Sequence, residues 1–207
     1  SGLHQFTEAD LRTLTILAGQ AAVAIENARL LQEEKRQTRQ LSLINEVSKK
    51  AVSTLNIAEL CKHVVESLHE EFDETHIVLM LNNEENGKLY IQAHAGPFSK
   101  YLSKKKYFDD GIVGKAVKSG KAIFIDNVKN ESGYKEIIPG VKSELVVFIK
   151  KGDKLLGILN LVSSKGNYFD EKDLTMMTMI ADQVAMGIIN ARLYESEKES
   201  KEVAQSA

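Results

Sequence analysis

Side chains able to act as nucleophiles or metal ligands are few and scattered in this sequence. Cys61 is the single cysteine, and it lies on the apolar stripe of a predicted helix, where a thiol is expected to be buried and inert. Four of the five histidines, His63, His69, His76 and His94, are unclustered and form no HxxxH or carboxylate-spaced pair of the kind that metal ligation needs. We therefore expect no catalytic residue, no metal site and no cofactor.

A segment with several glycines, residues 111–121, is where a phosphate-binding loop would be sought. Its spacing matches neither GxxxxGK[ST] nor GxGxxG, so nucleoside triphosphate binding is not supported. Gly111 and Gly114 could let the backbone at a helix N-terminus approach a ligand, or could simply permit tight packing of a short helix, and both interpretations stay open. Asp109 and Asp110 beside that N-terminus count against an anionic ligand.

Hydrophobic periodicity predicts an α+β domain in the middle of the chain. Helical spacing over 41–51 and 57–72 gives way to short apolar or alternating strands. Hairpins join neighbouring strands, so we expect an antiparallel sheet of five or six strands with the helices of the chain ends on one face. The predicted strands are 77–81, 89–95, 105–108, 122–125, 144–149 and 155–162, and a short helix is predicted over 111–118.

The chain repeats one of its own helices. Residues 6–35 align without gaps on residues 169–198, and half of the 30 positions are identical. Each copy opens on the pattern of a capping box, with Thr7 or Asp170 at the N-cap and an aspartate three residues later. The repeat indicates duplicated domain ends and a tandem arrangement of domains.

Four segments in the second half of the chain carry a family resemblance. They are DDGIVGKAVKSGKAIFIDNV at 109–128, YKEIIPGVKSELVVFI at 134–149, GDKLLGILNLVSS at 152–164 and FDEKDLTMMTMIADQVAMGIINARLYE at 169–195. In this order and spacing they resemble the GAF domain, a small-molecule-sensing and dimerisation module of signalling proteins. The resemblance implies a GAF/PAS-like fold in which the terminal helices cover one face of the sheet. Segments around 96–118 and 126–142 would then form a roof over the other face and enclose a ligand pocket.

The resemblance and the repeat together divide the chain into three expected parts. Residues 1–39 are expected to be a connecting helix and the tail of an upstream domain, residues 40–197 the GAF domain, and residues 198–207 the start of a linker to an output domain. The resemblance implies a regulatory sensory module of a larger bacterial signal-transduction protein, such as a sensor histidine kinase of a two-component system. On this interpretation the module itself is not an enzyme.

The polar contacts of such a pocket are expected from the roof segments and from strand positions that interrupt apolar runs. Asn160 interrupts a predicted strand, for example, and Tyr134 flanks the long loop. Each candidate has an ordinary alternative, such as a backbone hydrogen bond, a turn cap or packing. The predicted ligand-binding residues are Gly111, Gly114, Asp126, Asn127, Tyr134, Ser143 and Asn160.

Cyclic nucleotides are a ligand for which the resemblance supplies a residue pattern, Asn-Lys…Phe-xxx-Asp-Glu. Asn160, Phe169 and Asp173 match it, but Leu161 and Leu174 replace the lysine and the glutamate. All five arginines lie outside the sensing body, so no guanidinium can clamp a phosphate there. An unidentified small molecule is therefore the preferred ligand. A ligand-free dimerisation spacer is the alternative, and a cyclic-nucleotide-binding domain is a less favoured one.

Composition excludes several classes of partner. Lys+Arg 27 against Asp+Glu 29 gives a net charge of −2, without the basic excess that nucleic-acid binding uses. One cysteine cannot form an internal disulfide, which favours a reducing compartment. Apolar runs are far shorter than the roughly 20 residues of a spanning helix. We expect a soluble, cytoplasmic fragment without a signal peptide or membrane contact.

The two long helices carry more apolar surface than one domain needs, which predicts a homodimer through the N- and C-terminal helices. The alternative is that one monomer buries all of this surface. In the closing helix the apolar residues at steps of three and four are Leu174, Met177, Ala181, Val184, Ile188 and Ala191, and Met176, Met179, Ile180 and Met186 widen the surface. In the first helix they are Leu14, Leu17, Ala21, Ala24, Ala28 and Leu31.

The loss of half of the cyclic-nucleotide pattern leads to a first prediction. Titration with cyclic AMP or cyclic GMP is expected to show no binding tighter than about 100 μM, which corresponds to roughly −5.5 kcal/mol. Isothermal calorimetry on the purified chain is the measurement. A micromolar isotherm with either nucleotide would refute the prediction.

Overall fold

The computed structural model describes residues 7–102, 107–108, 111–132, 134 and 136–206. Asp109 and Asp110, which the sequence places beside a helix N-terminus, lie outside these residues. Of the strand predicted over 105–108, the described part is Tyr107–Phe108. The chain divides into two compact units, residues 1–42 and residues 43–207, and each is described by itself below.

Five α-helices and six strands make up the described chain, in the α+β order that the periodicity predicts. The helices are α1 (Glu8–Ser53), α2 (Ile57–Glu71), α3 (Ser99–Leu102), α4 (Gly111–Ser119) and α5 (Glu171–Ser206), with a 3₁₀ turn at Val128–Asn130. The strands are β1 (Thr75–Asn82), β2 (Leu89–Ala95), β3 (Tyr107–Phe108), β4 (Ile123–Ile125), β5 (Ser143–Lys151) and β6 (Lys154–Ser163).

The six strands form a single sheet of order β3-β2-β1-β6-β5-β4, and every neighbouring pair is antiparallel. The predicted fold class is confirmed. Hydrogen bonds confirm the predicted starts of both copies of the repeated helix. Thr7 Oγ1 accepts a bond from the Asp10 amide at 3.2 Å, and Asp170 Oδ1 accepts one from the Asp173 amide at 2.9 Å. In return, Asp10 accepts a hydrogen bond from the Thr7 amide, and Asp173 accepts one from the Asp170 amide.

Unit 1 is helical over its described residues, and its large apolar side chains are exposed. Leu14 is 55% exposed, Leu17 54% and Ile25 69%. A row of exposed apolar side chains along a helix is typical of a surface that another domain or chain covers.

In unit 2 the central strands are buried on both faces, because successive side chains of a strand point to opposite sides of the sheet. One face packs against α2, α5 and the last turns of α1. Gly187 of α5 allows this close packing, because a Cβ there would lie 2.6 Å from Leu60 Cδ2 and 2.9 Å from Ala51 Cβ. The strand residues on this helix face include Ile77, Leu79, Leu145, Val147, Leu159 and Leu161.

The opposite face of the sheet is covered by α4 and by the segments that carry Val128, Ile138 and Val141. These covering segments are the roof that the resemblance implies, and together with the sheet they enclose a second apolar cluster. Its strand residues alternate with those of the helix face and include Val78, Met80, Val146, Ile158 and Val162.

By length and composition, α5 could cross a membrane over residues 171–202, and it is the one such helix among the described residues. Half of the apolar stretch of this helix is buried inside the domain. Core helices of soluble proteins can have the same length and apolar composition. Like such a core helix, α5 packs on β5.

Candidate functional site

A cavity of about 30 Å³ lies between the roof and the sheet. This volume accommodates one or two water molecules. Most of its wall is apolar and comes from Ile112, Val113, Ile137, Ile138, Val141 and Val162. The rest of the described wall comes from Gly111, Tyr134, Glu144 and Asn160.

Two polar side chains of the sheet project into this apolar surrounding. Glu144 lies on β5 opposite Val162 of β6, and Asn160 lies two residues earlier on β6. Both share the roof face because their positions have the same parity along paired strands. Glu144 is 7% exposed and Asn160 is 6% exposed. The sheet register therefore holds a carboxyl group and a carboxamide side by side beneath the roof.

The electrostatics of this pair follow from its burial. Burial raises the pKa of Glu144 to about 7, and a hydrogen bond from the Asn160 side chain opposes that rise. The other end of the amide, Asn160 Oδ1, is buried without a hydrogen-bond partner. Burial also raises the pKa of Tyr134 to about 12, and the charges of Glu144 and Glu136 add to the effect. The site therefore contains an acid that titrates near neutrality and a buried acceptor to which no described protein group donates.

Three of the seven residues predicted to bind a ligand line this cavity: Gly111, Tyr134 and Asn160. Gly111 begins α4 with a φ of +69°, a conformation that glycine adopts without strain, and a Cβ there would lie 3.3 Å from Ile137 Cδ1. The glycine lets the start of α4 approach the roof loop.

The other four predicted residues do not line the cavity, and three of them make hydrogen bonds within the chain. Ser143 donates its hydroxyl to the Lys165 carbonyl at 2.7 Å. Asn127 caps the 3₁₀ turn by accepting from the Lys129 amide at 3.1 Å. The exposed Asp126 accepts from the Asn167 amide through its backbone carbonyl at 3.0 Å. Gly114 is buried within α4.

Glu144 is the polar residue on the described cavity wall that the sequence analysis missed. A sequence signal for Glu144 was present, since it directly precedes the apolar run Leu145–Ile149 and lies in the same predicted strand. A glutamate in a buried strand is rare, which makes such a position a candidate for a site. What the sequence lacked was the strand register, which decides whether Glu144 faces the roof or the helices.

The expectation that the histidines are unclustered is wrong for two of them. His76 stacks on His94 with ring centroids 5.4 Å apart, and His76 Nδ1 accepts the Phe98 amide hydrogen at 3.0 Å. Burial, followed by the influence of His94, lowers the pKa of His76 to about 4, so its ring is neutral at neutral pH. Among the residues that the structure describes, no three His, Cys, Asp or Glu side chains are arranged to hold a metal ion.

Cys61 lies on α2 in the helix-side cluster, across the sheet from the cavity. It is 0% exposed, and burial raises the pKa of its thiol to about 12. The thiol is therefore protonated at neutral pH and unreactive.

Comparison with known protein families identifies this architecture. The GAF domain family matches residues 54–188, well over half of the chain. The chain belongs to the GAF domain family. This confirms the resemblance drawn from the four sequence segments and the sensor-module architecture that it implies. GAF domains are generally regulatory sensor modules.

Among proteins of known function, this GAF domain is similar to the formate hydrogenlyase transcriptional activator FhlA of Escherichia coli (strain K12). The two are 22% identical over 171 residues, which is 75% of this chain and 24% of FhlA. The chain spans less than two thirds of the length of the curated relatives it matches.

Solved structures share the fold at lower identity. The GAF domain of a phosphoenolpyruvate-protein phosphotransferase from Coxiella burnetii aligns with a TM-score of 0.67 at 21% identity, over 77% of this chain and 98% of that one. The free methionine-R-sulfoxide reductase of Neisseria meningitidis aligns with a TM-score of 0.68 at 16% identity, over 75% and 91%. The fold therefore occurs both in the GAF domain of a phosphotransferase and in a methionine sulfoxide reductase.

The raised pKa of Glu144 leads to a prediction about stability. The folded chain favours the neutral carboxyl, so this contribution to stability is complete below the unfolded pKa of about 4.5 and is lost as pH rises to about 7. Replacing Glu144 by Gln removes this loss, which is on the order of 3 kcal/mol. Urea unfolding midpoints at pH 5 and pH 8 measure it.

The matched control is Glu85→Gln, the same substitution at an exposed position in the β1–β2 turn. It is expected to keep the pH dependence of the unaltered chain. Equal pH dependence of the chain with and without Glu144→Gln would contradict the assignment.

Proposed function

We propose that this GAF domain is a sensory module that binds a small molecule in the roof cavity and passes the signal through dimeric helices to an output domain of a larger cytoplasmic protein. The observation that carries the proposal is the buried pair Glu144 and Asn160, which faces an apolar cavity with one acceptor unpartnered. An output such as a histidine kinase of a two-component system or a transcription activator fits this role.

Burial of this pair has a cost that packing alone does not explain. An unsatisfied buried polar atom costs about 1–3 kcal/mol, and a buried carboxyl group is more costly when it ionises. A domain with only a structural task would be more stable with apolar residues at positions 144 and 160. The position of both polar side chains beside a cavity supports a ligand as the partner of the open acceptor.

Binding rather than catalysis is the proposed role of the module. A thiol-based reaction in the cavity would need a cysteine there, and Cys61 lies on the other face of the sheet. The described wall holds one acid, Glu144, and no second acid or base within the same cavity except the weakly acidic Tyr134.

The volume of the cavity favours a second candidate, a ligand-free dimerisation spacer. At about 30 Å³ the cavity is much smaller than the roughly 300–1,000 Å³ of typical ligand pockets. A larger ligand therefore requires the roof to move. The experiment below separates the two functions.

The exposed apolar row of unit 1 supports the proposal that residues 1–39 are the tail of an upstream domain. Under the repeat, Leu14, Leu17 and Ile25 correspond to Met177, Ile180 and Ile188, which are each 0% exposed against the sheet of unit 2. Two helices of similar sequence are expected to bury the same face. We propose that an upstream sheet covers this row in the parent protein.

A second stripe supports the proposed homodimer. In α5 the side chains of Met179, Met186 and Leu193 are 47%, 56% and 60% exposed, and they recur every seven residues on one side of the helix. The repeated segment of α1 carries the same stripe at the equivalent positions: Ile16, Val23 and Leu30 are 62%, 61% and 59% exposed. Because each unit keeps this stripe exposed, a second copy of the chain is the proposed occupant.

Ligand binding in the cavity is tested by thermal denaturation of the chain with a library of small metabolites at millimolar concentration. A ligand that binds the folded state raises Tm by mass action. Ile137→Trp should abolish the rise, because Ile137 is half-buried on the cavity wall and a larger side chain fills the space. Val117→Trp, an equally large change at an exposed position of α4, is the control. If no compound raises Tm, the spacer function is favoured and the sensor function fails.

Dimerisation is tested by light scattering at about 100 μM protein. The chain is expected to be a dimer, and Met179→Glu combined with Met186→Glu is expected to make it a monomer, because two charges then face an apolar seam. Val52→Glu combined with Val117→Glu changes two exposed apolar side chains off the stripe and should leave the dimer intact. A monomeric unaltered chain, or a dimer that survives both stripe substitutions, contradicts the proposal.

A further inference from the structure

We propose that the roof cavity selects a small protonated amine, from ammonium to a short primary alkylammonium, with Glu144 as its counter-ion and Asn160 Oδ1 as a hydrogen-bond acceptor. This inference rests on the proposed sensory function and names the chemical class of its ligand.

The hydrogen-bonding capacity that the two polar side chains of the sheet leave open is that of acceptors. The Asn160 side chain already gives a hydrogen bond to Glu144, which leaves its buried oxygen unpartnered. The carboxylate of Glu144 can accept further bonds, as an ionised carboxylate has about four acceptor sites. A ligand that satisfies Glu144 and Asn160 must therefore bring N–H or O–H donors.

The charge of the cavity favours a cation over a neutral donor. The residues described on its wall include no lysine, arginine or histidine, so none of these residues neutralises Glu144 when it ionises. The start of α4 at Gly111 contributes at most about half a positive charge. A buried carboxylate is stabilised by a paired cation that also donates hydrogen bonds, and it repels an anion.

The donor set and the size of the cavity favour an ammonium group over a metal ion. Hard cations such as Ca²⁺ require six to eight oxygen ligands. The side-chain oxygens on the described wall belong to Glu144, Asn160 and Tyr134, and the remaining wall is apolar. An ammonium ion is about the size of a water molecule, which fits about 30 Å³, and a short alkyl chain would contact Ile112 or Ile138.

The protonation of Glu144 supports a pH-dependent affinity. Its pKa of about 7 means that a cation binding below that pH must displace a proton from the carboxyl group. Among the roof residues that the structure describes, the titratable group on the cavity wall is Tyr134, whose pKa of about 12 keeps it neutral. Glu136 is a further negative charge near Tyr134. Ammonium affinity is therefore expected to fall about tenfold between pH 8 and pH 6.

The experiment is a ¹H–¹⁵N NMR titration of the whole chain at pH 8 with ammonium chloride and methylammonium chloride, against sodium chloride at equal ionic strength. Saturable shifts are expected at the amides of Gly111, Val113 and Asn160. Glu144→Gln should weaken binding at least tenfold, and Glu85→Gln should leave it unchanged. The same titration at pH 6 should give about one tenth of the affinity.

Further probes separate failure of this ligand class from failure of the proposed function. Potassium chloride, sodium acetate and urea test a metal cation, an anion and a neutral donor. If one of these shifts the same amides saturably and ammonium salts do not, the ligand class is overturned and the sensory cavity stands. If no probe does so and no compound raises Tm, both fail. Ammonium binding that Glu144→Gln leaves unchanged overturns the counter-ion role.

Discussion

The register of three central strands, β1, β6 and β5, is the constraint on which the rest of this domain depends. Each strand is buried on both faces along its centre, so its buried apolar residues belong either to the helix-side cluster or to the roof-side cluster. A slip of one residue would exchange the two sets and turn Glu144 and Asn160 into the layer of α2 and α5. Gly157 also restricts the pairing of β6 with β1. A Cβ at this position would lie 2.3 Å from the Met80 carbonyl oxygen, so a side chain does not fit there.

The fold was predictable from the sequence because its signals are local. Capping boxes at Thr7 and Asp170 mark helix starts, and the change from helical to alternating periodicity marks the strands. The site was only partly predictable because its polar residues look alike in sequence. Asn160 and Ser143 both sit in apolar strands, yet Ser143 is satisfied by the Lys165 carbonyl while Asn160 Oδ1 has no partner. Only the folded register separates them.

The duplicated helix shows how far sequence determines burial. Leu17 and Ile180 occupy equivalent positions in two helices with the same caps, yet one is 54% exposed and the other 0%. The difference arises from what lies against each helix, since helix formation itself follows from the shared pattern. By contrast, Val23 and Met186 are exposed in both copies, at 61% and 56%. A position that is exposed in both settings is the better indicator of a surface that another chain covers.

The sheet also provides the physical connection between the cavity and the closing helix. Glu144 faces the roof, while the next residue, Leu145, and then Val147 face the helix layer, where α5 packs on β5. A ligand that charges or displaces Glu144 therefore acts on β5, the strand on which α5 packs. The adjacent residue, Leu145, lies on the opposite face of that strand in the helix-side cluster. Close-packed interiors transmit such displacements because they have little free volume. In the proposed sensor, the shortest path from ligand to dimer thus crosses a single strand, and the apolar stripe of α5 is the surface at which the shift would reach the partner subunit.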